Sequence, residues 1–292
     1  MFNPFSLSAA ARRYAMTLAL ALAFTFSVSL AGCAADHGAT SASATELQTR
    51  IDAWLPADVL LLGEQHDAPA HQALQQQIVE ALAARGVLAA VALEMADSGD
   101  STAALPPNAS EEQTRNALRW NNDAWPWAAY GPSVMSAVRA GVPVLGANLP
   151  SAQLRSHMAD AALDQRLPGP ALKAQQQLIR QGHCDLLPES QITPLTRIQI
   201  AKDMRMANTV QAAARPGQVV VLISGSVHAD KQLGVPQHLP PALRFKAIRL
   251  RSGTAAAGGE RESFDDVLAT PATPDKDYCA GLAKQLPPRA AP

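Results

Sequence analysis

Uninterrupted apolar runs, rich in Val, Leu and Ala, alternate with longer amphipathic stretches along most of the chain. The runs lie at 58–62, 87–93, 143–146, 218–223 and 245–250. Apolar runs of this length without alternation predict strands that are buried on both faces. Because helical stretches separate the strands, we expect them to run parallel with right-handed crossovers. The pattern predicts an α/β protein with a mostly parallel sheet flanked by helices.

Helical periodicity fills the intervals between these runs. Helices are predicted at 68–84, 110–119, 133–141, 151–163, 170–182 and 193–214. The last three form a helical block at about 151–214, which indicates a helical insertion in a domain that covers 51–270. One more strand is expected around 263–268, and residues 271–292 are expected to form a C-terminal tail.

The N-terminal segment has a pattern of its own. Arg12 and Arg13 precede an apolar run, and the run ends in Leu-Ala-Gly-Cys33. A basic segment, a short apolar segment and small residues before a cleavage point are typical of a secretory signal. The cysteine makes this a lipoprotein signal peptide, 1–32, with lipidation of Cys33. The alternative is an ordinary secretory signal with a chance cysteine.

The residues after this cysteine predict where the protein is attached. Residues 33–50 contain many small and polar side chains, and we expect a flexible tether between lipid and domain. Residue 34 is Ala rather than Asp, which in lipoproteins of this type favours the outer membrane. The expected location is therefore the periplasmic face of that membrane, held by acyl chains such as palmitate instead of a transmembrane helix.

Charge and cysteine content narrow the function classes. The formal net charge is −1 and the chain has no basic block, which argues against nucleic-acid binding. With Cys33 lipidated, Cys184 and Cys279 remain, and an oxidising periplasm favours a disulfide between them. Two buried free thiols are the alternative. His183 is expected to lie in a loop beside the bridge.

Polar residues follow four of the predicted strands. Glu64 and His66 follow the first strand, Glu94 the second, Asn148 the third and His228 the fourth. In an open parallel sheet, ligands bind beyond the carboxyl ends of the strands. We therefore expect these side chains to meet at one rim of the sheet.

Two of these strands are followed by the same Gly-x-x-His pattern, from Gly63 to His66 and from Gly225 to His228. Glycine directly after a strand lets the backbone approach a ligand closely. The alternative is a pair of loop histidines with ordinary hydrogen-bond partners. Two carboxylates and two imidazoles can hold a divalent metal, run acid–base chemistry or line a site for an anionic, apolar ligand.

Several segments together resemble a known family. They are Leu-Leu-Gly63-Glu64-Gln65-His66-Asp67, Leu93-Glu94-Met95, Tyr130-Gly-Pro, Gly146-Ala-Asn148-Leu-Pro150, Ser224-Gly225-Ser226-Val227-His228 and Gly234-Val-Pro236. Their order and spacing, with the cysteine motif, resemble the ChaN-like haem-binding lipoproteins. That superfamily also contains TIKI-like metalloproteases and erythromycin-esterase-like enzymes. The resemblance covers roughly 55–240 and implies an α/β core with a helical insertion.

The resemblance also implies a haem site. In this family two chains pair and enclose two haems face to face, a tyrosine phenolate binds each iron, and a histidine lies close by. The iron ligand expected here is Tyr130, the tyrosine of the matching segment, with His66 or His228 as the histidine. The other expected haem-binding residues are Glu64, Glu94, Asn148 and Trp127. The alternative places Tyr130 and the tryptophan in the core.

The first functional hypothesis is a membrane-anchored, non-catalytic haem-binding lipoprotein that acts in haem or iron acquisition as a haem-linked homodimer. The alternative is a hydrolase that uses a divalent metal or acid–base chemistry at Glu64, His66, Glu94 and His228. The chain has no Gly-x-Ser-x-Gly nucleophile motif, since the Gly225-Ser226-Val227 segment lacks the second glycine. A third hypothesis is an interaction lipoprotein whose rim has lost its function.

Overall fold

A computed structural model describes residues 44–253 and 260–284 of the chain. Its centre is a six-stranded sheet with the order β3-β2-β4-β1-β5-β6, and each neighbouring pair is parallel. The strands are β1 (Val59–Glu64), β2 (Leu88–Asp97), β3 (Val144–Asn148), β4 (Val219–Gly225), β5 (Phe245–Ser252) and β6 (Asp266–Thr270). The predicted α/β fold with a parallel sheet is confirmed.

Helices connect and flank these strands. They are α1 (Ala44–Trp54), α2 (Pro69–Ala84), α3 (Glu111–Ala117), α4 (Trp127–Arg139), α5 (Leu154–Ala159), α6 (Gly169–Gly182), α7 (Glu189–Ala213), α8 (Ser226–Ala229), α9 (Glu260–Ser263) and α10 (Tyr278–Ala283). Short 3₁₀ helices lie at Ser151–Gln153, Ala161–Gln165 and Val235–His238. Within the described ranges, no helix combines the length and apolar character needed to cross a membrane.

The sheet is buried on both faces, which explains the unbroken apolar runs. Successive side chains of a strand point to opposite faces. Leu60 and Leu62 of β1 therefore belong to the cluster that packs under α1, α2 and α4. Val59 and Leu61 belong to the cluster on the other face, with Met206 and Val210 of α7. The central strands are thus fixed between two helical layers.

The expectation of a flexible tether over 33–50 is wrong for its last part. Residues 44–50 belong to α1, which buries Leu47, Ile51 and Trp54. These three residues recur at helical spacing and so lie on one face of the helix. Packing of that face outweighs the small, polar composition of the segment. The predicted signal peptide, Cys33 and the first part of the predicted tether lie outside the described residues.

Helix α4 begins earlier than the sequence pattern predicts. The Gly131-Pro132 pair was expected to lie before a helix at 133–141, but α4 starts at Trp127 and contains Pro132. Proline inside a helix removes a backbone hydrogen bond and costs about 3 kcal/mol. Burial of Trp127, Tyr130 and Val134 against the sheet layer offsets this cost. The change matters because it moves Tyr130 from a loop onto a buried helix face.

A disulfide joins two distant parts of the chain. Cys184, in the turn after α6, is bonded to Cys279 of α10, and their Cα atoms are 5.7 Å apart across a sequence separation of 95. This is the pairing expected from the cysteine content. The bridge fastens the segment beyond β6 to the helical block.

Gly146 is the residue at which the edge of the sheet tolerates least change. A Cβ at this position would lie 2.0 Å from the backbone oxygen of Asp97, whereas a Cβ at Gly182 would meet nothing within 4 Å. We expect Gly146→Ala to lower the free energy of unfolding by about 1–3 kcal/mol or more, because strand backbones must move apart. Gly182→Ala, the matched control at a helix end, should change it by about 1 kcal/mol at most.

Urea unfolding followed by circular dichroism measures both variants. Equal midpoints for Gly146→Ala and the wild-type chain would show that β2 and β3 are not packed as described.

Candidate functional site

A cleft of about 690 Å³ opens at the carboxyl ends of β1, β2 and β4. Its floor is formed by Glu64, His66, Glu94 and His228, which the structure brings together as the sequence pattern predicts. Strands β1 and β4 are neighbours with Glu64 opposite Gly225, so the two Gly-x-x-His segments lie side by side. The opposite side of the cleft, the helical wall, consists of Leu178, Ile179, His183 and Tyr278.

The carboxylate of Glu64 is the most heavily bonded group of the floor. Its Oε1 accepts a hydrogen bond from the hydroxyl of Tyr130 at 2.6 Å and lies 2.8 Å from Nδ1 of His66. Its Oε2 accepts hydrogen bonds from the side-chain amides of Gln72 at 3.1 Å and Gln75 at 2.7 Å. A buried carboxylate is tolerated when its oxygens are satisfied in this way. Glu64 therefore fixes the position of His66.

A second network surrounds His228, which is buried between two carboxylates. Its Nδ1 lies 2.5 Å from Oδ1 of Asp203, and its Nε2 lies 3.3 Å from Oε1 of Glu94. The other oxygen of Glu94 accepts a hydrogen bond from the backbone N–H of Gly225 at 2.7 Å. This oxygen is also 3.7 Å from Nε2 of His66, which links the two networks.

These contacts shift the pKa values of the buried groups. Burial opposes a charge on His228, but Glu94 and Asp203 outweigh it and raise the pKa of His228 to about 10. Burial raises the pKa of Asp203 to about 6 although the imidazolium opposes this shift. For Glu94, His228 and His66 outweigh burial and lower the pKa of its carboxyl group. The floor thus holds an imidazolium between two acidic groups.

His66 lies between the core and the cleft. Burial opposes its charged form, but the hydrogen bond to Glu64 and the charge of Glu94 raise the pKa of His66 above its ordinary value. Its ring also packs edge-on against Trp125, with the ring centroids 4.9 Å apart. Gly225 allows the approach from the other side, because a Cβ there would lie 3.0 Å from Nε2 of His66.

Tyr130 does not lie in the cleft, where the family resemblance predicts it. Its side chain is 2 % exposed, it lies in the core cluster under α4, and it does not line the cleft. Burial, and after it the carboxylate of Glu64, raise the pKa of Tyr130 far above its ordinary value. A phenolate is therefore disfavoured at this position. The expectation that Tyr130 faces a ligand is wrong, and the core alternative describes the residue.

Trp127 and Asn148 also lie away from the cleft. Trp127 is buried in the core, and its indole N–H donates to Glu111 at 2.9 Å. The side-chain oxygen of Asn148 accepts a hydrogen bond from the backbone N–H of Leu149 at 2.9 Å. Asn148 ends β3 at the carboxyl rim as predicted, but it does not line the cleft, because β3 is the edge strand one beyond β2 and the cleft lies over β1, β2 and β4.

The helical wall was not predicted as part of the site, although the sequence contained a signal for it. His183 and Tyr278 directly precede the two cysteines that were expected to pair. A disulfide requires Cα atoms about 4.4–6.8 Å apart, so its sequence neighbours must also come close. Gln72 and Gln75, which hold Glu64, had no comparable signal. Within the described ranges, no group of three or more His, Cys, Asp or Glu side chains is arranged to hold a metal ion.

Comparisons with known proteins give a consistent result. The family model described as haem-binding uptake, Tiki superfamily, ChaN matches residues 50–239. No curated protein matches the chain. Among solved structures, the chain is similar to ChaN of Campylobacter jejuni, described as binding heme cofacially. The sequence identity is 27%, the TM-score is 0.65, and the match covers 76% of this chain and 90% of that chain.

Two further solved structures are similar at lower levels. The type III effector HopBA1 shares 18% identity at a TM-score of 0.46, over 78% of this chain and 94% of that one. A mutant of the erythromycin esterase EreC in its open conformation shares 14% identity at a TM-score of 0.44, over 76% of this chain and 78% of that one.

The charge on His228 predicts how stability depends on pH. Because the folded-state pKa of His228 is about 10, above its ordinary value of 6.5, its contribution is complete below pH 6.5 and is lost as the pH rises towards 10. We expect the free energy of unfolding to fall between pH 7 and 9.5, on the order of 1 kcal/mol per pH unit. His66 adds to the fall, since its pKa is also raised.

Urea titrations at a series of pH values measure this slope. His228→Gln should flatten it, because the raised pKa of this imidazole is then lost. A wild-type profile that is level or rises over this window would contradict a charged His228.

Proposed function

Because this chain belongs to the haem-binding uptake, Tiki superfamily, ChaN family, we propose that it binds haem in the cleft at the strand ends. The observation that carries the proposal is the composition of that cleft. Leu178 and Ile179 offer an apolar surface, and Lys202 offers a cation at the same opening. Haem is an apolar disc with two carboxylates, so the disc can pack against the apolar surface and a carboxylate can pair with the lysine.

The donor set of the cleft also suits an iron. Imidazole and phenolate are both axial ligands of haem iron in proteins, and the helical wall carries His183 and Tyr278. Haem, if bound, would supply an iron that these side chains could ligate. The cleft volume of about 690 Å³ lies within the range of about 300–1,000 Å³ that small-molecule sites occupy.

The floor supports binding better than turnover. Glu64 is engaged by four hydrogen-bonding partners, and both nitrogens of His228 face carboxylates. The groups that a hydrolase of this superfamily type would use are thus held by one another. This arrangement favours a non-catalytic haem binder over the hydrolase alternative.

The proposal includes a membrane anchor. The sequence pattern of 1–32 and Cys33 supports export, cleavage before the cysteine and acylation of its thiol. Two or more acyl chains give stable attachment. We place the protein on the periplasmic face of the outer membrane, where it acts in haem or iron acquisition. The similar ChaN of Campylobacter jejuni binds heme cofacially, and we extend this to a haem-linked homodimer of the present chain.

Haemin titration of residues 34–292 tests the cargo. We expect saturable binding of one haemin per chain, a phenolate-to-iron charge-transfer band in the absorption spectrum, and dimers in sedimentation velocity only when haemin is present. Bovine albumin stripped of haem serves as a positive control, since its haemin binding shows that the haemin in the assay is able to bind protein. A chain that takes up no haemin but purifies with stoichiometric zinc or manganese would contradict the proposal and favour the hydrolase.

Substitution of Cys33 tests the anchor independently of the cargo. Cys33→Ser should abolish incorporation of labelled palmitate and move the chain from the membrane fraction to the soluble fraction, because the acylated thiol is lost. The double variant Cys184→Ser with Cys279→Ser is the control, since it removes the two disulfide cysteines without leaving a free thiol and should leave both readouts unchanged. Membrane attachment of Cys33→Ser at the wild-type level would sink the lipoprotein assignment.

A further inference from the structure

The helical wall contains a tyrosine and a histidine that a covalent bond holds together. His183 and Tyr278 both line the cleft, and their sequence neighbours Cys184 and Cys279 form the disulfide. With Cα atoms of the cysteines 5.7 Å apart, the residues that precede them are close although α6 and α10 are far apart in sequence. Nothing in the floor networks uses either side chain.

Tyr278 differs from Tyr130 in its exposure to solvent and in the hydrogen bonding of its hydroxyl, and both properties affect whether a phenol can bind a cation. Among the large hydrophobic residues that the structure describes, Tyr278 is the exposed one, with 51 % of its surface accessible to solvent. Within 44–253 and 260–284, its hydroxyl has no hydrogen-bond partner. The ammonium of Lys276 lies 4.9 Å from the centroid of its ring. Tyr130, in contrast, is buried, and its hydroxyl donates a hydrogen bond to Glu64.

One ring nitrogen of His183 is engaged by the backbone of the preceding helix. Its Nδ1 lies 2.8 Å from the backbone carbonyl oxygen of Ile179. A carbonyl oxygen only accepts hydrogen bonds, so Nδ1 carries a proton, and in the neutral ring the lone pair is on Nε2. A backbone carbonyl that fixes the tautomer in this way is the usual support of a metal-binding histidine.

The position of Tyr278 depends on the disulfide. Helix α10 has six residues and none of them is buried. An isolated helix of this length is not stable in water. The chain before it is fastened at Thr273, whose backbone N–H donates to Ser252, and beyond that point the bridge to Cys184 is the covalent restraint. Without it, the apolar contacts of α10 are too few to keep Tyr278 at the cleft.

We propose that His183 and Tyr278, held at the cleft by the Cys184–Cys279 disulfide, are the groups that contact the haem iron, with the hydroxyl oxygen of Tyr278 as its ligand. This inference rests on the proposed haem binding. It assigns the iron ligand to a residue outside the matched family segment of 50–239, and it makes the disulfide part of the binding site. His183 lines the same cleft as this phenol, and its Nδ1 is engaged by the carbonyl of Ile179.

Haemin titrations of matched variants of residues 34–292 test the ligand. Tyr278→Phe keeps the ring and removes the oxygen, so we expect the charge-transfer band to disappear. Tyr130→Phe makes the same chemical change in the core and should keep the band. His183→Gln should weaken haemin binding by about tenfold or more. If the band persists in Tyr278→Phe, or is lost in Tyr130→Phe, the assignment is overturned while haem binding itself stands.

A readout without haem spectroscopy uses the small number of tyrosines. Only Tyr130 and Tyr278 follow position 32 in the sequence. Tetranitromethane should nitrate Tyr278 and spare the buried Tyr130, and haemin should protect Tyr278, as measured by peptide mass spectrometry. Nitration of Tyr278 that is equally fast with and without saturating haemin would contradict contact between them.

The double variant Cys184→Ser with Cys279→Ser tests the tether. We expect it to bind haemin about tenfold more weakly or worse, with faster hydrogen exchange confined to 274–284 and an unchanged far-ultraviolet spectrum. Equal affinity of the double variant would overturn the role of the disulfide. If the wild-type chain does not bind haemin, both this inference and the proposed function are overturned. If the wild-type chain binds haemin and the variants do not, the proposed function stands and the inference is supported.

Discussion

The organisation of the cleft depends on one buried carboxylate. Glu64 stands at the end of β1, 2 % exposed, where an unpaired charge would be strongly unfavourable. Donors from two helices satisfy it, since Gln72 and Gln75 lie on α2 and Tyr130 lies on α4. The same carboxylate holds the ring of His66. The position of α2 and α4 on the sheet and the orientation of His66 in the cleft therefore both depend on Glu64.

The network around His228 ties the other face of the sheet to the cleft. Asp203 comes from α7, Glu94 from β2 and His228 from the segment after β4. A charged imidazole between two carboxylates holds these elements in register, because removal of any member leaves a buried charge unpaired. Both networks lie in the floor, and their polar atoms are largely used among themselves. Lys202 and the residues of the helical wall line the cleft without taking part in either network.

Features of the structure that leave a local pattern in the sequence could be predicted, and features that depend on distant residues could not. The strands were predictable because burial on both faces leaves an unbroken apolar run, and the meeting of Glu64, His66, Glu94 and His228 follows from the parallel arrangement. Tyr130 was misplaced because Gly131 and Pro132 locally favour a loop, and only the packing of α4 on the sheet overrides that preference. The bonding of Asp203 to His228 joins residues 25 positions apart and has no local signature.

The cleft is complete only after the disulfide has formed, which is late in the synthesis and folding of the chain. A ribosome makes Cys184 well before Cys279, which follows it by 95 residues. By the time that Cys184 exists, β1 and β2 of the floor have been synthesised, whereas β4 and Tyr278 have not. The wall that closes the cleft is therefore assembled only after the last strand has been made and an oxidant has reached both thiols. A chain kept reduced would carry the floor and the α6 part of the helical wall without the bridge that holds Tyr278, so completion of the cleft is tied to the compartment in which the bond forms.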